Sequence, residues 1–226
     1  MKIRTLHPWK VSYKEAVRIQ NELRDRLIIR SEFTNPKLVA GADVSYSKKI
    51  ARFYAMVVIL KYPELTPVEE AGATRPIEFP YIPGLLSFRE TPVLLEAFKR
   101  VKNIPDVVIV DGQGIAHPRG LGLASHLGLI LDLPTVGCAK KRLAGEHREV
   151  ADRAGGYELL RINGNVVGAV LRTKKGVKPV FISPGHRIDL ASSIELVLNT
   201  TRGYRLPEPT RQAHMKGGKN VKEIGI

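Results

Sequence analysis

The stretch Val107-Val108-Ile109-Val110-Asp111-Gly112-Gln113-Gly114 decides the fold class. Its first four residues are all apolar and β-branched, which predicts a strand covered on both faces. The strand ends at Asp111, and the glycines after it let a ligand approach the backbone closely. Open α/β sheets bind ligands at the carboxyl ends of their strands. An ordinary Asp-Gly turn is the alternative. A dinucleotide site is disfavoured, because His117 stands where that fingerprint needs its third glycine.

Further elements are predicted on both sides of this strand. Ser12-Tyr13-Lys14-Glu15 has the pattern of a capping box, and an amphipathic helix follows it to about Ile29. Short links join three strands, which indicates an antiparallel meander. These strands are predicted at Leu38–Tyr46, Arg52–Tyr62 and Val68–Thr74.

The second half of the chain alternates between helical and extended patterns. Helices are predicted at Pro92–Val101, at Gly122–Leu131 and from Asp189 to about Thr201. Strands are predicted at Pro134–Ala139, Glu158–Ile162, Val166–Arg172 and Val180–Ser183. This order predicts one α/β domain over residues 1–226, with a mixed sheet flanked by helices. From about residue 205 the chain is rich in Pro, Gly, Lys and Arg, and we expect an extended basic tail there.

The composition favours a polyanionic partner. The chain has 36 Lys and Arg against 22 Asp and Glu, a formal net charge of +14 and a pI near 10.0. Such an excess points to nucleic acid or to an acidic membrane surface. The single cysteine, Cys138, rules out an internal disulfide framework. With no apolar stretch of the signal-peptide or membrane-spanning type, we expect a cytoplasmic protein without a membrane partner.

Three acidic residues are candidates for a metal site. Asp43 interrupts the apolar strand Val39–Val44, Asp111 ends the buried strand, and Glu90 precedes the helix predicted from Pro92. Each has an ordinary alternative: a solvent-facing strand residue, a turn, and a helix-start acid that complements the dipole. Together they form the kind of oxygen cluster that holds Mg²⁺. In a chain this basic, the natural substrate of such a cluster is a phosphodiester.

Two basic side chains could complete this site. Lys140 ends the next buried strand, where its charge could meet the negative charge that builds on a phosphate in the transition state. His214 could relay a proton or contact a metal. A solvated basic turn and a surface histidine are the respective alternatives, and on local sequence neither is excluded.

At this point the sequence resembles the endonuclease V family, the deoxyinosine-directed repair nucleases. Six segments carry the resemblance and occur in family order through nearly the whole chain. They are Val39–Ser45, Phe79–Glu90 (which contains Pro80-Tyr81-Ile82-Pro83-Gly84), Asp111–Arg119, Gly137–Lys140, Ser183–His186 and Pro207–His214. The Pro-Tyr-Ile-Pro-Gly run and the Asp-Gly-Gln-Gly block are highly specific in combination.

The resemblance implies a ribonuclease-H-like fold and roles for individual residues. Asp43 and Asp111 would ligate the metal, with Glu90 holding it directly or through water. Lys140 would contact the scissile phosphate, and His214 would lie beside the metal. Tyr81, braced by Pro80, Ile82 and Pro83, would be a wedge inserted where the lesion leaves the base stack. The pocket for the flipped base would be shaped by Gly84, Leu86, Gly112, His117, Leu123 and Leu143.

The implied reaction is Mg²⁺-dependent hydrolysis, with Mn²⁺ as a substitute ion. The cut would fall at the second phosphodiester on the 3′ side of a deaminated purine in DNA, leaving a 3′-hydroxyl and a 5′-phosphate. We expect a monomer. Three alternatives stay open: a ribonuclease directed at inosine in RNA, a structure-specific nuclease of the same fold, and a basic nucleic-acid-binding protein without catalysis. The last is motivated by the net charge alone.

Overall fold

A computed structural model describes residues 1–32, 35–47 and 49–224, and a single mixed sheet runs through them. The strands follow one another in the order β3-β2-β1-β4-β5-β8-β7-β6. They are β1 (Leu38–Ser47), β2 (Arg52–Lys61), β3 (Pro67–Pro76), β4 (Val107–Val110), β5 (Thr135–Ala139), β6 (Tyr157–Ile162), β7 (Asn165–Leu171) and β8 (Val180–His186). None of the helices in the described part is both long and apolar enough to span a bilayer.

Strand direction changes across the sheet. β1, β2 and β3 form the predicted antiparallel meander. β4 then pairs with β1 in parallel, and β5 pairs with β4 in parallel. β8, β7 and β6 complete the sheet by antiparallel pairing. The carboxyl ends of β1, β4 and β5 therefore meet at one edge of the sheet. The candidate residues Asp43, Asp111 and Lys140 lie at this edge.

Helices cover both faces of the sheet. The helices are α1 (Tyr13–Arg24), α2 (Leu86–Arg100), α3 (Leu123–Leu131), α4 (Leu190–Asn199) and α5 (Glu208–Ile224). Alternate strand residues, such as Val108 and Val110, pack with α2 and α3 in one core cluster. The intervening residues, such as Val107 and Ile109, pack with α4 and α5 in the other. The predicted strand with two buried faces is thus confirmed for β4.

Two predicted helix boundaries are wrong. α1 begins behind the predicted Ser12–Glu15 capping box but ends at Arg24, before the predicted Ile29. α2 begins at Leu86, so Pro92 lies inside the helix and not at its first turn. Proline has no N–H to donate to the carbonyl of Phe88, and this local cost is offset because α2 buries several large side chains against the sheet. As a result Glu90 projects from within a helix.

The predicted extended tail is also wrong, because residues 208–224 form helix α5. Its sequence contains Pro209, Gly217 and Gly218, which weaken an isolated helix. The helix is stabilised by packing on the sheet: Ala213 is fully buried in the same core cluster as Val39 and Met56. The last element is therefore part of the folded body of the protein.

The backbone of α5 crosses β1 at Gly41. A Cβ atom at Gly41 would lie 2.0 Å from the carbonyl carbon of Pro209, too close for any side chain. Gly41 and Asp43 are two residues apart in β1 and so share one face of the sheet. The crossing at Gly41 therefore places the next turns of α5 over Asp43.

Gly41→Ala should displace α5 from the sheet. Forcing a methyl group into a filled contact typically costs about 1–3 kcal/mol, and urea denaturation would measure the loss in unfolding free energy. Gly218→Ala is the matched control, since an added Cβ there has no neighbour within 4 Å and alanine is favoured in helices by roughly 1 kcal/mol. Equal stability of Gly41→Ala and the wild type would show that α5 does not depend on this contact.

Candidate active site

Two carboxylates and an imidazole meet at the carboxyl edge of the sheet. One ligand atom from each of Asp43, Asp111 and His214 lies within 4.8 Å of the other two. Asp43 comes from β1, Asp111 directly follows β4, and His214 comes from α5. The parallel pairing of β1 with β4 brings the two aspartates together, and the crossing of α5 at Gly41 adds the histidine.

Lys140 belongs to the same cluster. It follows β5, the parallel neighbour of β4, and its ammonium group forms an ion pair with Asp111. Its Nζ also lies 3.4 Å from His214 Nδ1. His214 Nδ1 in turn lies 3.0 Å from Asp43 Oδ2. Two basic groups thus face two acids and offset part of their negative charge.

Glu90 approaches the cluster from α2 but lies outside the group of ligand atoms within 4.8 Å. Burial raises the pKa of its carboxyl to about 8, and the negative charges of Asp43 and Asp111 add to the increase. The charge of Arg89 acts in the opposite direction. Glu90 is therefore close enough to feel both aspartates, a position suited to a carboxylate that holds a cation through water.

The two aspartates carry opposite pKa shifts. Burial and the charge of Asp43 raise the pKa of Asp111 to about 6, against the lowering effect of Lys140. Burial also acts to raise the pKa of Asp43, but hydrogen bonding with His214 and Asp111 outweighs it, and the net shift is downward. The hydrogen bond to Asp43 raises the pKa of His214. Asp43 is thus held in its charged form, whereas Asp111 loses its proton only near pH 6.

The donor set fits a divalent cation. Asp43 and Asp111 offer carboxylate oxygens, which are the ligands that Mg²⁺ and Mn²⁺ take in proteins. Burial raises the pKa values of Asp111 and Glu90, and repulsion from the neighbouring carboxylates adds to this effect, so negative charge in the cluster is unfavourable. A bound dication would relieve this repulsion directly.

A small apolar pocket, here called the base pocket, opens beside the cluster. Its volume is about 110 Å³, well below the roughly 300–1,000 Å³ of sites for drug-sized ligands, so it suits one small planar group. Its walls come from the loop before α2, the first turn of α2, the Asp111–Arg119 loop, the start of α3 and Leu143. The lining residues are Tyr81, Ile82, Pro83, Gly84, Leu86, Ser87, Gln113, His117, Leu121, Gly122, Leu123 and Leu143.

Eight of these twelve were predicted from the sequence as substrate-binding residues: five for the pocket, and Tyr81, Ile82 and Pro83 for the wedge. Gly112, predicted for the pocket, and Pro80, predicted for the wedge, do not line it. Ser87, Gln113, Leu121 and Gly122 were missed. Gln113 lies inside the Asp-Gly-Gln-Gly block, so the sequence indicates its neighbourhood but not the role of its side chain. Leu121 lies just before the predicted helix, and Gly122 is the first residue of that prediction and the N-cap of α3.

The loop between β3 and α2 presents Tyr81 to solvent. The Tyr81 side chain is 70% exposed, an unusual exposure for so large a ring. The guanidinium of Arg89 lies 5.6 Å from its ring centroid. Prolines on both sides of Tyr81-Ile82 restrict the backbone, so the loop loses little entropy when it inserts into a partner.

A cluster of hydrogen bonds anchors this loop at the carbonyl oxygen of Gly84. The amide of Gln20 donates to it at 2.9 Å, Nη2 of Arg119 at 2.6 Å and Nε2 of His117 at 3.0 Å. The backbone N–H of Arg119 donates to His117 Nδ1, which leaves Nε2 as the protonated nitrogen. Burial and the charge of Arg119 lower the pKa of His117 to about 4, so the ring stays neutral. Gln20 was not singled out from the sequence, because its role depends on where α1 packs.

The segment after Asp111 is fixed by contacts between backbones. A Cβ at Gly114 would lie 2.0 Å from the carbonyl oxygen of Pro184 in β8. The N–H of Gly114 donates to the hydroxyl of Ser183 at 2.8 Å. This loop therefore sits against β8 with no space for a side chain, and it holds both Asp111 and Gln113 in place.

Comparison with known proteins identifies the family. The sequence profile of endonuclease V matches residues 21–215. Proteins named endonuclease V from Trichormus variabilis and Methanothrix thermoacetophila are each 49% identical to this chain. The alignments cover 94% and 98% of this chain, and 97% and 98% of those proteins. The chain belongs to the endonuclease V family.

Solved endonuclease V structures share the fold. The protein from Streptomyces avermitilis is 38% identical with a TM-score of 0.91, and each chain is covered completely. Endonuclease V from Ciona intestinalis was solved in complex with a DNA that contains an inosine followed by a ribo-adenosine. It is 29% identical with a TM-score of 0.79, over 93% of this chain and 98% of that one. The ribonuclease-H-like α/β fold is therefore confirmed, and the protein is a nuclease.

Glu90→Gln should stabilise the metal-free endonuclease V at high pH. The pKa of Glu90 is raised from 4.5 to about 8, so the folded state keeps a proton that the unfolded chain has already released. Folding stability therefore falls as the pH rises through this interval. We expect a higher melting temperature for Glu90→Gln near pH 8 in EDTA and little difference near pH 4.5.

The exposed Glu64 provides the control for this experiment, because Glu64→Gln changes a carboxyl outside the cluster. The prediction fails if Glu90→Gln raises the melting temperature equally at both pH values, or if Glu64→Gln raises it as much. Either result would show that the Glu90 carboxyl is not held in a repulsive environment.

Proposed function

We propose that this protein hydrolyses DNA at deoxyinosine. The cut falls at the second phosphodiester on the 3′ side of the lesion and leaves a 3′-hydroxyl and a 5′-phosphate. Mg²⁺ is the proposed cofactor, with Mn²⁺ as a substitute, and the protein acts as a cytoplasmic monomer. The observation that carries the proposal is the combination of a dication-ligand cluster with an adjoining base-sized pocket and an exposed aromatic wedge.

Each cluster residue has a distinct task in this proposal. Asp43 and Asp111 would hold the metal, and Glu90 would hold it through water. When bound, the ion activates water and stabilises the entering and leaving oxygens of the phosphodiester. Lys140 places a positive charge next to the site at which charge accumulates on the phosphate. His214 orients Asp43 and carries a second positive charge.

The base pocket and Tyr81 supply specificity in this scheme. A flipped base leaves a gap in the stack, and the proline-braced Tyr81 can fill it at low entropic cost. Hypoxanthine lacks the amino group of guanine, so a tight pocket of about 110 Å³ can exclude guanine by steric clash. Inosine pairs are also weaker than normal pairs, which lowers the cost of extrusion.

The location of the pocket supports a cut displaced from the lesion. Leu86 of the pocket and Glu90 of the cluster are one helical turn apart on α2. Gln113 of the pocket is two residues beyond Asp111. The base and the reacting phosphate thus occupy neighbouring but separate sites, so the lesion itself remains in the product.

The Ciona intestinalis complex provides support for the substrate class, because that relative binds a DNA with inosine. Its ribo-adenosine after the inosine also keeps the second candidate function, cleavage of inosine in RNA, under consideration. Side-by-side assays on inosine DNA and inosine RNA of identical sequence distinguish the two.

Asp43→Asn and Asp111→Asn should each abolish cleavage of an inosine duplex in Mg²⁺, because each removes a ligand. Metal binding can be followed separately, since a ligand that binds only the folded state raises its melting temperature. Wild-type protein should gain stability on addition of Mn²⁺, and the two variants should gain much less. Glu64→Gln, a change at an exposed acid outside the cluster, is again the control. A variant that cuts at the wild-type rate would refute the metal assignment.

Tyr81→Ala should weaken binding to an inosine duplex by roughly tenfold or more, as expected for the loss of one aromatic stacking contact of about 1–3 kcal/mol. Binding to undamaged duplex should change little, because no base is extruded from it. Tyr204→Ala is a suitable control, since Tyr204 is also exposed but contacts Arg211 away from the pocket. Equal losses on both duplexes would mean that the loop is only a structural turn.

A further inference from the structure

A second and larger cavity lies on the other side of the loop that carries Tyr81. This cavity, here called the flanking groove, has a volume of about 530 Å³. It is lined by Trp9, Lys10, Val11, Arg75, Pro76, Glu78, Phe79, Pro80, Phe88, Arg89 and Pro92. Apart from Pro80 and Arg89, these residues take no part in the site described above, and neither Pro80 nor Arg89 lines the base pocket.

The loop and the start of α2 form a wall shared by the two cavities. Within the loop, Phe79 and Pro80 line the flanking groove, whereas Ile82 and Pro83 line the base pocket. Within α2, Ser87 faces the base pocket and Phe88 faces the groove. Tyr81 lies between them. A nucleic acid opened by Tyr81 therefore has the base pocket on one side of the opening and the flanking groove on the other.

In the apolar part of the groove, the half-buried ring of Trp9 offers a surface on which a base can stack, and the buried Phe79 and Phe88 complete the aromatic cluster. The Trp9 ring is fixed by neighbouring rings: its centroid lies 4.7 Å from that of His7 and 6.2 Å from that of Phe88. Phe79 packs on Phe88 at 5.7 Å. Stacking on such rings is available to every base, because each base has a π-face.

The polar part of the groove is basic. Lys10 is exposed, and no described residue forms an ion pair with it. The Arg89 guanidinium contacts the rings of Phe53 and Tyr81, and among the described residues it forms no ion pair with a carboxylate. Arg75 is already paired with Glu78 and Glu96. Lys10 and Arg89 are therefore the groups suited to a phosphate.

We propose that the flanking groove is a second nucleotide subsite, which binds an unpaired nucleotide displaced when Tyr81 enters the duplex. The base stacks against the Trp9 surface, and its phosphate contacts Lys10 and Arg89. The inference rests on the proposed function, since only an opened duplex supplies such a nucleotide. Two nucleotides have this chemistry: the one opposite the lesion, and a neighbour of the lesion in its own strand.

The experiment removes one base at a time from the substrate. Dissociation constants are measured by fluorescence anisotropy, with Ca²⁺ in place of Mg²⁺, for an inosine duplex and for versions with an abasic analogue opposite the inosine or on either side of it. One of these abasic duplexes should bind the wild type about tenfold more weakly, as expected for one lost stack. The position that matters identifies which nucleotide occupies the groove.

Variants of the protein connect this loss to the groove. Trp9→Leu should bind the intact inosine duplex about as weakly as the wild type binds the sensitive abasic duplex. Removing the base as well should then cause no further loss of affinity in Trp9→Leu. Lys10→Ala changes only an exposed side chain and should reduce the slope of log K against log salt by roughly one phosphate contact. Lys14→Ala, an exposed lysine of α1 outside the groove, should leave the slope unchanged.

The outcomes separate this inference from the proposed function. If the wild type prefers inosine duplex over undamaged duplex but no abasic position weakens binding, the subsite does not exist and the proposed function stands. An abasic effect that persists in full in Trp9→Leu, together with an unchanged salt slope in Lys10→Ala, also overturns it. If the wild type shows no preference for inosine, the proposed function fails, and the subsite fails with it.

Discussion

Asp43 and Asp111 lie so close together that their negative charges repel at the carboxyl edge of the sheet, and the local architecture is organised around that repulsion. The parallel pairing of β1 with β4 brings the two aspartates together. Lys140 reaches them from β5, and α5 delivers His214. Burial, together with repulsion from the neighbouring aspartates, raises the pKa values of Asp111 and Glu90. A site of this kind favours a dication because the ion reduces the repulsion between carboxylates that the fold already holds together.

The loop that carries Tyr81 combines an exposed tip with a rigidly held end. The loop with Tyr81 is exposed at its tip and anchored at its end, where the carbonyl oxygen of Gly84 accepts hydrogen bonds from Gln20, His117 and Arg119. The wedge proposed for Tyr81 must be presented to solvent before it meets a duplex, yet it must not collapse onto its own protein. The hydrogen bonds at Gly84 and the prolines beside Tyr81 keep the ring exposed and the loop in place without a large hydrophobic contact at the tip.

Sequence reasoning predicted the sheet better than the helices. β2 and β4 were evident because they contain runs of apolar β-branched residues, which favour strands, and β1 was evident from its mostly apolar stretch Leu38–Val44. Helix α5 was missed because Pro209 and two glycines disfavour a helix locally, and only packing of Ala213 on the sheet stabilises it. The start of α2 was misplaced because Pro92 resembles a first-turn proline. The individual site residues followed from family resemblance, whereas Gln20 depends on long-range packing that no local pattern reveals.

The backbone contacts of the Asp111–Gly114 loop bear on how this enzyme could be altered in the laboratory. Gly114 lies directly against the carbonyl of Pro184, so a mutant library that randomises this position would consist mostly of misfolded members. Leu143 and Leu86, by contrast, are half-exposed rims of the base pocket and can change size without disturbing a strand. Directed evolution toward a different damaged base should therefore vary Leu86 and Leu143 and keep Gly114 as it is.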